Sequence, residues 1–181
     1  QRFVSGAEAA LNRTVIDLDL LLAGMGDLLA PGGSIERSSA ERTLRGIVKR
    51  KLEFRDLAVI DADGRVLAAA REQTERLGVP LPAQFARDLL REPRPMLAVS
   101  APVLNFATSE RVIYFARPLV LESGHRVLAV AEVPVSIIAT ILAQSVQIPG
   151  LVVTLERDDG QLLASVPASD AQLGERLSTP L

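Results

Sequence analysis

The chain has 181 residues, 48% of them apolar and 23% charged, with a formal charge of −2. That length and composition suit one full domain with a buried core, with room for part of another, and the charge gives no electrostatic ground for binding nucleic acid or an anionic membrane. Cysteine is absent, which excludes disulfides, thiolate metal sites and thiol nucleophiles.

The chain opens on Gln1-Arg2-Phe3, with no cleavable signal pattern behind it, and is expected to be a fragment whose anchoring segments lie outside it. Val4, Leu11, Val15, Leu18, Leu22, Met25 and Leu29 follow the spacing of one helix face, with Glu8 as a polar break. This predicts one long helix ended by Pro31-Gly32-Gly33. The stripe fits either packing on the chain's own sheet or a heptad seam pairing two protomers. Asp17, Asp19 and Asp27 interrupt Val15 to Ala30, so that stretch falls short of the roughly 18 apolar residues of a membrane span. A second helix is expected to begin at Ser38 or Ser39, with Glu41 in capping-box position, and to run to Lys51. Leu44, Ile47, Val48 and Leu52 share one of its faces.

The period then changes to that of strands. Leu57–Asp61 and Arg65–Ala69 flank Asp63-Gly64, a hairpin signal for a tight primed turn. The same pattern returns at Leu155-Glu156-Arg157-Asp158-Asp159-Gly160-Gln161-Leu162-Leu163-Ala164-Ser165, which suggests two copies of one module in tandem. Between them, residues 71–82 read as a polar loop and Ala83–Arg91 as a short helix with Phe85, Leu89 and Leu90 inward. Three strands follow: Met96–Val103, Arg111–Val120 and Arg126–Val133. Ile113-Tyr114-Phe115-Ala116 and Leu128-Ala129-Val130-Ala131 are apolar on both faces, so the sheet is expected to be covered on both sides. A helix over Val135–Gln144 then leads through Ile148-Pro149-Gly150 to the second hairpin.

Three polar residues stand out among these strands. Glu132 interrupts an apolar run, where a buried carboxylate costs several kcal/mol unless it is paired. It is read as a ligand contact, as a salt-bridge partner of Arg117, or as an exposed strand end. Arg117 has the bidentate fork to clamp a carboxylate, or pairs internally. Tyr114 brings a hydroxyl into a buried strand, where it needs a partner, or simply packs in the core. Tyr114 and Arg117 are three positions apart, so an undistorted strand sends them to opposite faces. The only histidine, His125, falls in a turn. Asp61 with Asp63, and Asp158 with Asp159, lack the ligand spacing of a calcium loop. No nucleophile elbow or glycine-rich phosphate loop occurs, so no catalytic residue, metal or cofactor is assigned.

The element order, with Phe54-Arg55-Asp56-Leu57-Ala58-Val59-Ile60-Asp61-Ala62-Asp63-Gly64-Arg65-Val66-Leu67, Ser100-Ala101-Pro102-Val103, Thr108-Ser109-Glu110-Arg111-Val112-Ile113, Ala116-Arg117-Pro118-Leu119 and Leu162-Leu163-Ala164-Ser165-Val166-Pro167 with Gly174, resembles the double-Cache sensor modules of bacterial receptors. These PAS-like domains occur on diguanylate cyclases, histidine kinases and chemoreceptors. The resemblance implies an α+β fold: a five-stranded antiparallel sheet preceded by a long N-terminal helix, then the start of a second PAS-like module. It implies a stalk or dimerisation helix over 1–34, a membrane-distal sensor module over 35–146 and an incomplete membrane-proximal module over 147–181. It further implies a periplasmic, non-enzymatic part of an inner-membrane protein, homodimeric through the N-terminal helix. Its ligand would be a small molecule such as a carboxylate or amine, held between the sheet and the short helix by Phe85, Ser100, Tyr114, Arg117 and Glu132. Glu132 lies near where amino-acid-sensing relatives place an Asp that holds the ligand's ammonium. Those relatives also carry Arg, Trp and Tyr where this chain reads Leu81-Pro82-Ala83-Gln84-Phe85-Ala86-Arg87-Asp88, and Trp is absent. The alternative is a ligand-free structural or protein-interaction module.

Overall fold

The computed structural model describes residues 2–51, 53–71, 83–91, 94–145, 152–167 and 172–176. The N-terminal stripe forms helix α1 (Arg2–Ala23) and, after a turn at Gly24, the short helix α2 (Met25–Leu29). The expected single helix is thus divided. Glycine costs a helix interior about 1 kcal/mol relative to alanine, and here Gly24 and Gly26 nearly adjoin. Gly26 also lies against the end of the sheet, where an added Cβ would stand 3.7 Å from Leu121. Leu18, Leu22, Met25 and Leu29 are buried, with Leu11 and Val15 packed on the same cluster. From Leu11 to Leu29 the stripe therefore packs on the chain's own core; the side chain of Val4 lies outside the described ones.

Helix α3 (Arg37–Arg50) is capped two or three residues earlier than expected. Glu36 is its N-cap, and its carboxylate accepts from the backbone N–H of Ser38 at 3.1 Å and of Ser39 at 2.7 Å. One carboxylate thus satisfies two of the first-turn donors and opposes the positive end of the helix dipole. Glu41 forms no capping box and instead pairs with Arg37 and Arg45. Leu44 and Ala40 are buried and Ile47 and Val48 flank them; Leu52 is outside the described residues.

The strands are β1 (Asp56–Asp61), β2 (Val66–Ala69), β3 (Ala98–Val99), β4 (Val103–Asn105), β5 (Glu110–Val120) and β6 (Arg126–Pro134). They form one antiparallel sheet in the order β2-β1-β6-β5-β3, with β4 also paired to β5. β3 and β4 are two pieces of the expected third strand, so the sheet has five strand positions. The break falls at Ser100–Pro102, where the proline has no N–H to give the ladder. Helix α4 (Ala83–Arg91) is as expected, while residues 72–82 of the preceding loop are outside the described residues. Helix α5 (Val135–Ser145) follows the sheet, and β7 (Val153–Glu156) and β8 (Leu162–Val166) form a separate two-stranded sheet. The connector with Ile148-Pro149-Gly150 is also outside the described residues.

The two Asp-Gly hairpins share one geometry, but it is not the two-residue turn expected. In the first, Gly64 donates to the Asp61 carbonyl and Asp61 to the Arg65 carbonyl; in the second, Gly160 and Arg157 make the equivalent bonds. Each loop has three residues and ends on a glycine, with φ of 80° at both Gly64 and Gly160. This is a type I turn closed by a left-handed residue, and the Glu122-Ser123-Gly124 loop repeats it.

Residue alternation gives the main sheet two different faces. Val59, Ile113, Phe115, Val127, Ala129, Ala131 and Val133 point into the larger core with α1, α3, α5 and the β7–β8 hairpin. Ile60, Val112, Tyr114, Ala116, Leu128 and Val130 point the other way, where Phe85, Ala86, Leu89 and Leu90 of α4 pack on them. The sheet is covered on both sides.

Candidate functional site

The α4 face carries a buried polar cluster at one end of its apolar floor. Glu132 continues the Leu128 and Val130 side of β6 and is only 7% exposed. It sits opposite Tyr114 in β5 and Asp56 in β1. The Tyr114 hydroxyl donates to its Oε2 at 3.1 Å, and Asn105 Nδ2 donates to its Oε1 at 3.1 Å. Asn105 cannot reverse its amide without loss, because its carbonyl oxygen accepts from the N–H groups of Ala107 and Thr108. Asp56 is also buried and accepts from the Arg71 N–H at 3.1 Å.

Burial pushes the Glu132 pKa up from its ordinary value, and the nearby Asp56 adds to the rise. The Asn105 and Tyr114 donors and the Arg71 charge oppose it. Beside the cluster, Arg55 clamps Glu110 through two bonds, at 3.0 and 2.8 Å. Those bonds hold the Glu110 carboxyl below its usual range. The Arg55 N–H also donates to the Glu132 carbonyl at 2.8 Å, tying the start of β1 to β6.

Of the residues read from the sequence, Tyr114 and Glu132 touch directly. Phe85 packs on the apolar cluster that contains Tyr114. Ser100 is buried beside Tyr114, but it works through the backbone. Its Oγ accepts from the Tyr114 N–H at 2.9 Å and donates to the Ala101 carbonyl at 2.8 Å. Arg117 does not join the group. It lies on the α1 face, as its offset from Tyr114 requires, and pairs with Asp19 of α1. The salt bridge considered between Glu132 and Arg117 is therefore absent, and Glu132 is not an exposed strand end.

Asn105 and Asp56 were not singled out from the sequence. Asn105 stands before a turn, where asparagine has a local explanation that it also fulfils by accepting from Ala107 and Thr108. For Asp56 the signal existed, since counting back by twos from Ile60 puts it on the α4 face. The described residues contain no group of three metal-ligating side chains. No helix among them is long and apolar enough to cross a membrane.

The architecture has clear counterparts among solved structures. The ligand-binding domain of the Pseudomonas aeruginosa amino-acid chemoreceptor PctC, in complex with GABA, superposes with a TM-score of 0.70 at 18% identity, over 97% of this chain and 76% of that one. The ligand-binding domain of the Pseudomonas fluorescens chemoreceptor CtaA, with L-serine, gives 0.69 at 14% identity, over 94% and 71%. The sensor domain of the Vibrio cholerae histidine kinase DctB gives 0.59 at 17% identity, over 99% and 68%. The chain shares the fold of these ligand-binding and sensor domains. No protein-family model and no curated protein matches the sequence.

Proposed function

We propose that this chain is the extracytoplasmic ligand-binding portion of a membrane-anchored bacterial signalling protein, a binding module and not a catalyst. The observation that carries the reading is the buried Glu132, held by Tyr114 and Asn105 on the α4 face of a sensor fold. Asp56 and Glu132 set two carboxylates against the one nearby Arg71 charge, so an organic cation such as an amine suits the cluster better than a carboxylate. Tyr114, Glu132 and Phe85 form the site, with Ser100 fixing the Tyr114 backbone. Residues 35–146 make up the sensing module, 1–34 the stalk and 147–181 the start of a second module.

A bound ligand acts on an output domain elsewhere in the polypeptide only through its differential affinity for two helix arrangements, a coupling of about 1–3 kcal/mol. Dimerisation, on this reading, uses the outer face of α1, where Ile16 and Leu20 are 57% and 66% exposed. A thermal-shift screen of amines, carboxylates and amino acids tests the site. Amines raise the melting temperature, and Glu132→Gln abolishes that rise. An unchanged rise removes Glu132 from the site.

One observation favours a second reading, a ligand-free structural module: both Glu132 oxygens already accept a hydrogen bond. In that case no compound in the screen shifts the melting temperature, and Glu132→Gln alters stability alone.

A further inference from the structure

A second cavity lies on the opposite side of the main sheet, at its junction with the β7–β8 hairpin. It is a cleft of about 540 Å³, within the range of small-molecule sites. Its apolar walls come from Leu11 of α1, Phe115 of β5, Ile138 of α5 and Leu155 of β7. The polar groups gather on the hairpin side, in Glu156, Arg157 and Asp158, with Asn12 of α1. Their charges do not cancel. Arg157 donates to Asp159 at 2.7 Å, so its cation is already engaged. Among the described residues Glu156 accepts only from the Thr154 hydroxyl, and neither Glu156 nor Asp158 pairs with a cation.

We infer that this cleft is a binding site for an organic cation with an apolar body, distinct from the Glu132 site and separated from it by the sheet. The apolar walls take an aryl or alkyl body, and the two carboxylates at the hairpin end take an ammonium. Exposed ion pairs contribute little on their own, so the body supplies most of the affinity and the head supplies selectivity. The position matters for signalling. One ligand here touches α1, α5 and the hairpin together, so its affinity depends on how those elements are arranged.

The test is calorimetric titration of the chain with 4-phenylbutylammonium, 4-phenylbutyrate and methylammonium. The ammonium with the apolar body binds saturably, the carboxylate of the same body binds about five-fold more weakly, and methylammonium shows no binding that survives Glu132→Gln. Leu11→Trp, which fills the cleft, weakens the first by at least ten-fold. The double variant Glu156→Gln/Asp158→Asn, confined to hairpin side chains outside the core, brings the first two to the same affinity. The phenylbutylammonium component that Leu11→Trp removes survives Glu132→Gln with its five-fold preference intact, and any amine component lost with Glu132→Gln belongs to the α4 face. The inference is overturned if phenylbutylammonium shows no saturable binding, if phenylbutyrate binds as tightly, or if the affinity is lost with Glu132→Gln. Should Leu11→Trp fail to fold by circular dichroism, the hairpin variant decides: retained five-fold discrimination overturns the assignment.

Discussion

The two faces of the main sheet are built from alternate residues of the same strands, yet they solve different problems. On the α1 side, Ile113, Phe115, Ala129 and Ala131 meet Leu18 and Leu22 in one continuous apolar core. The charged pair there, Arg117 with Asp19, stands at the margin, with side chains 19% and 34% exposed. On the α4 side the apolar floor is smaller and gives way to buried carboxylates at Asp56 and Glu132. A face whose only task is cohesion has no reason to carry those carboxylates, since their desolvation opposes folding. On the proposed reading the α4 face gives up cohesion to hold its polar cluster, while the α1 face supplies the main core, with the hairpin cleft only at its edge.

The most severe way to break the comparison is to hollow the cohesive face. Leu22 has no exposed surface and locks α1 onto the core. Leu22→Ala is expected to lower the unfolding free energy by about 2–5 kcal/mol, the cost of lost burial plus the cavity left behind. Urea denaturation measures it. A loss below about 1 kcal/mol would mean that α1 is only loosely docked.

On the other face the comparable disruption is polar. Asn105→Ala removes one donor from Glu132 and the carbonyl that caps the β4–β5 turn. Leaving a buried acceptor short of a partner costs about 1–3 kcal/mol. Asn105→Ala should therefore destabilise less than Leu22→Ala but reduce amine binding more, and the same urea and thermal-shift measurements rank the two effects.

These contrasts also show which parts of the molecule the sequence made legible. The strands were visible because Ile113 to Ala116 and Leu128 to Ala131 are apolar in both registers, a pattern with few other solutions. Glu132 was visible because it broke that pattern. Its partner Asn105 was not, because an asparagine before a turn already has a local explanation, and its second role depends on a strand 27 positions away. The stripe of α1 was read correctly as helical, but its partner was ambiguous, since a heptad face looks the same against a sheet as against another helix. Gly24, Glu36 and the three-residue hairpin loops escaped for a common reason. Each is decided by backbone bonds over a few residues, where several capping and turn solutions fit the same letters.

Titration offers a subtler separation of the two faces. Below the ordinary glutamate pKa both folded and unfolded chains hold the Glu132 proton, and the group adds no pH dependence. Between that value and its raised folded value only the folded chain holds it, so stability falls as pH rises through this window. Above the window the penalty stays constant. The difference in melting temperature between the wild type and Glu132→Gln should thus move in favour of the variant from acid to neutral pH. A difference that is flat with pH would show that Glu132 keeps an ordinary pKa despite its burial.

The smallest expected effect sharpens the comparison from the cohesive side. Arg117 and Glu132 sit on neighbouring strands, and either could have been taken for a ligand anchor. Arg117 faces α1, however, and its guanidinium is committed to Asp19 at a partly solvated margin. Arg117→Met keeps the aliphatic stem and deletes the charge, so its cost should be about 1 kcal/mol or less. That cost should shrink further in high salt, as it does for a screened pair. Amine thermal shifts should be unchanged, because the sheet lies between Arg117 and the Glu132 cluster. If Arg117→Met abolished those shifts while leaving stability intact, the division of labour between the two faces would be wrong.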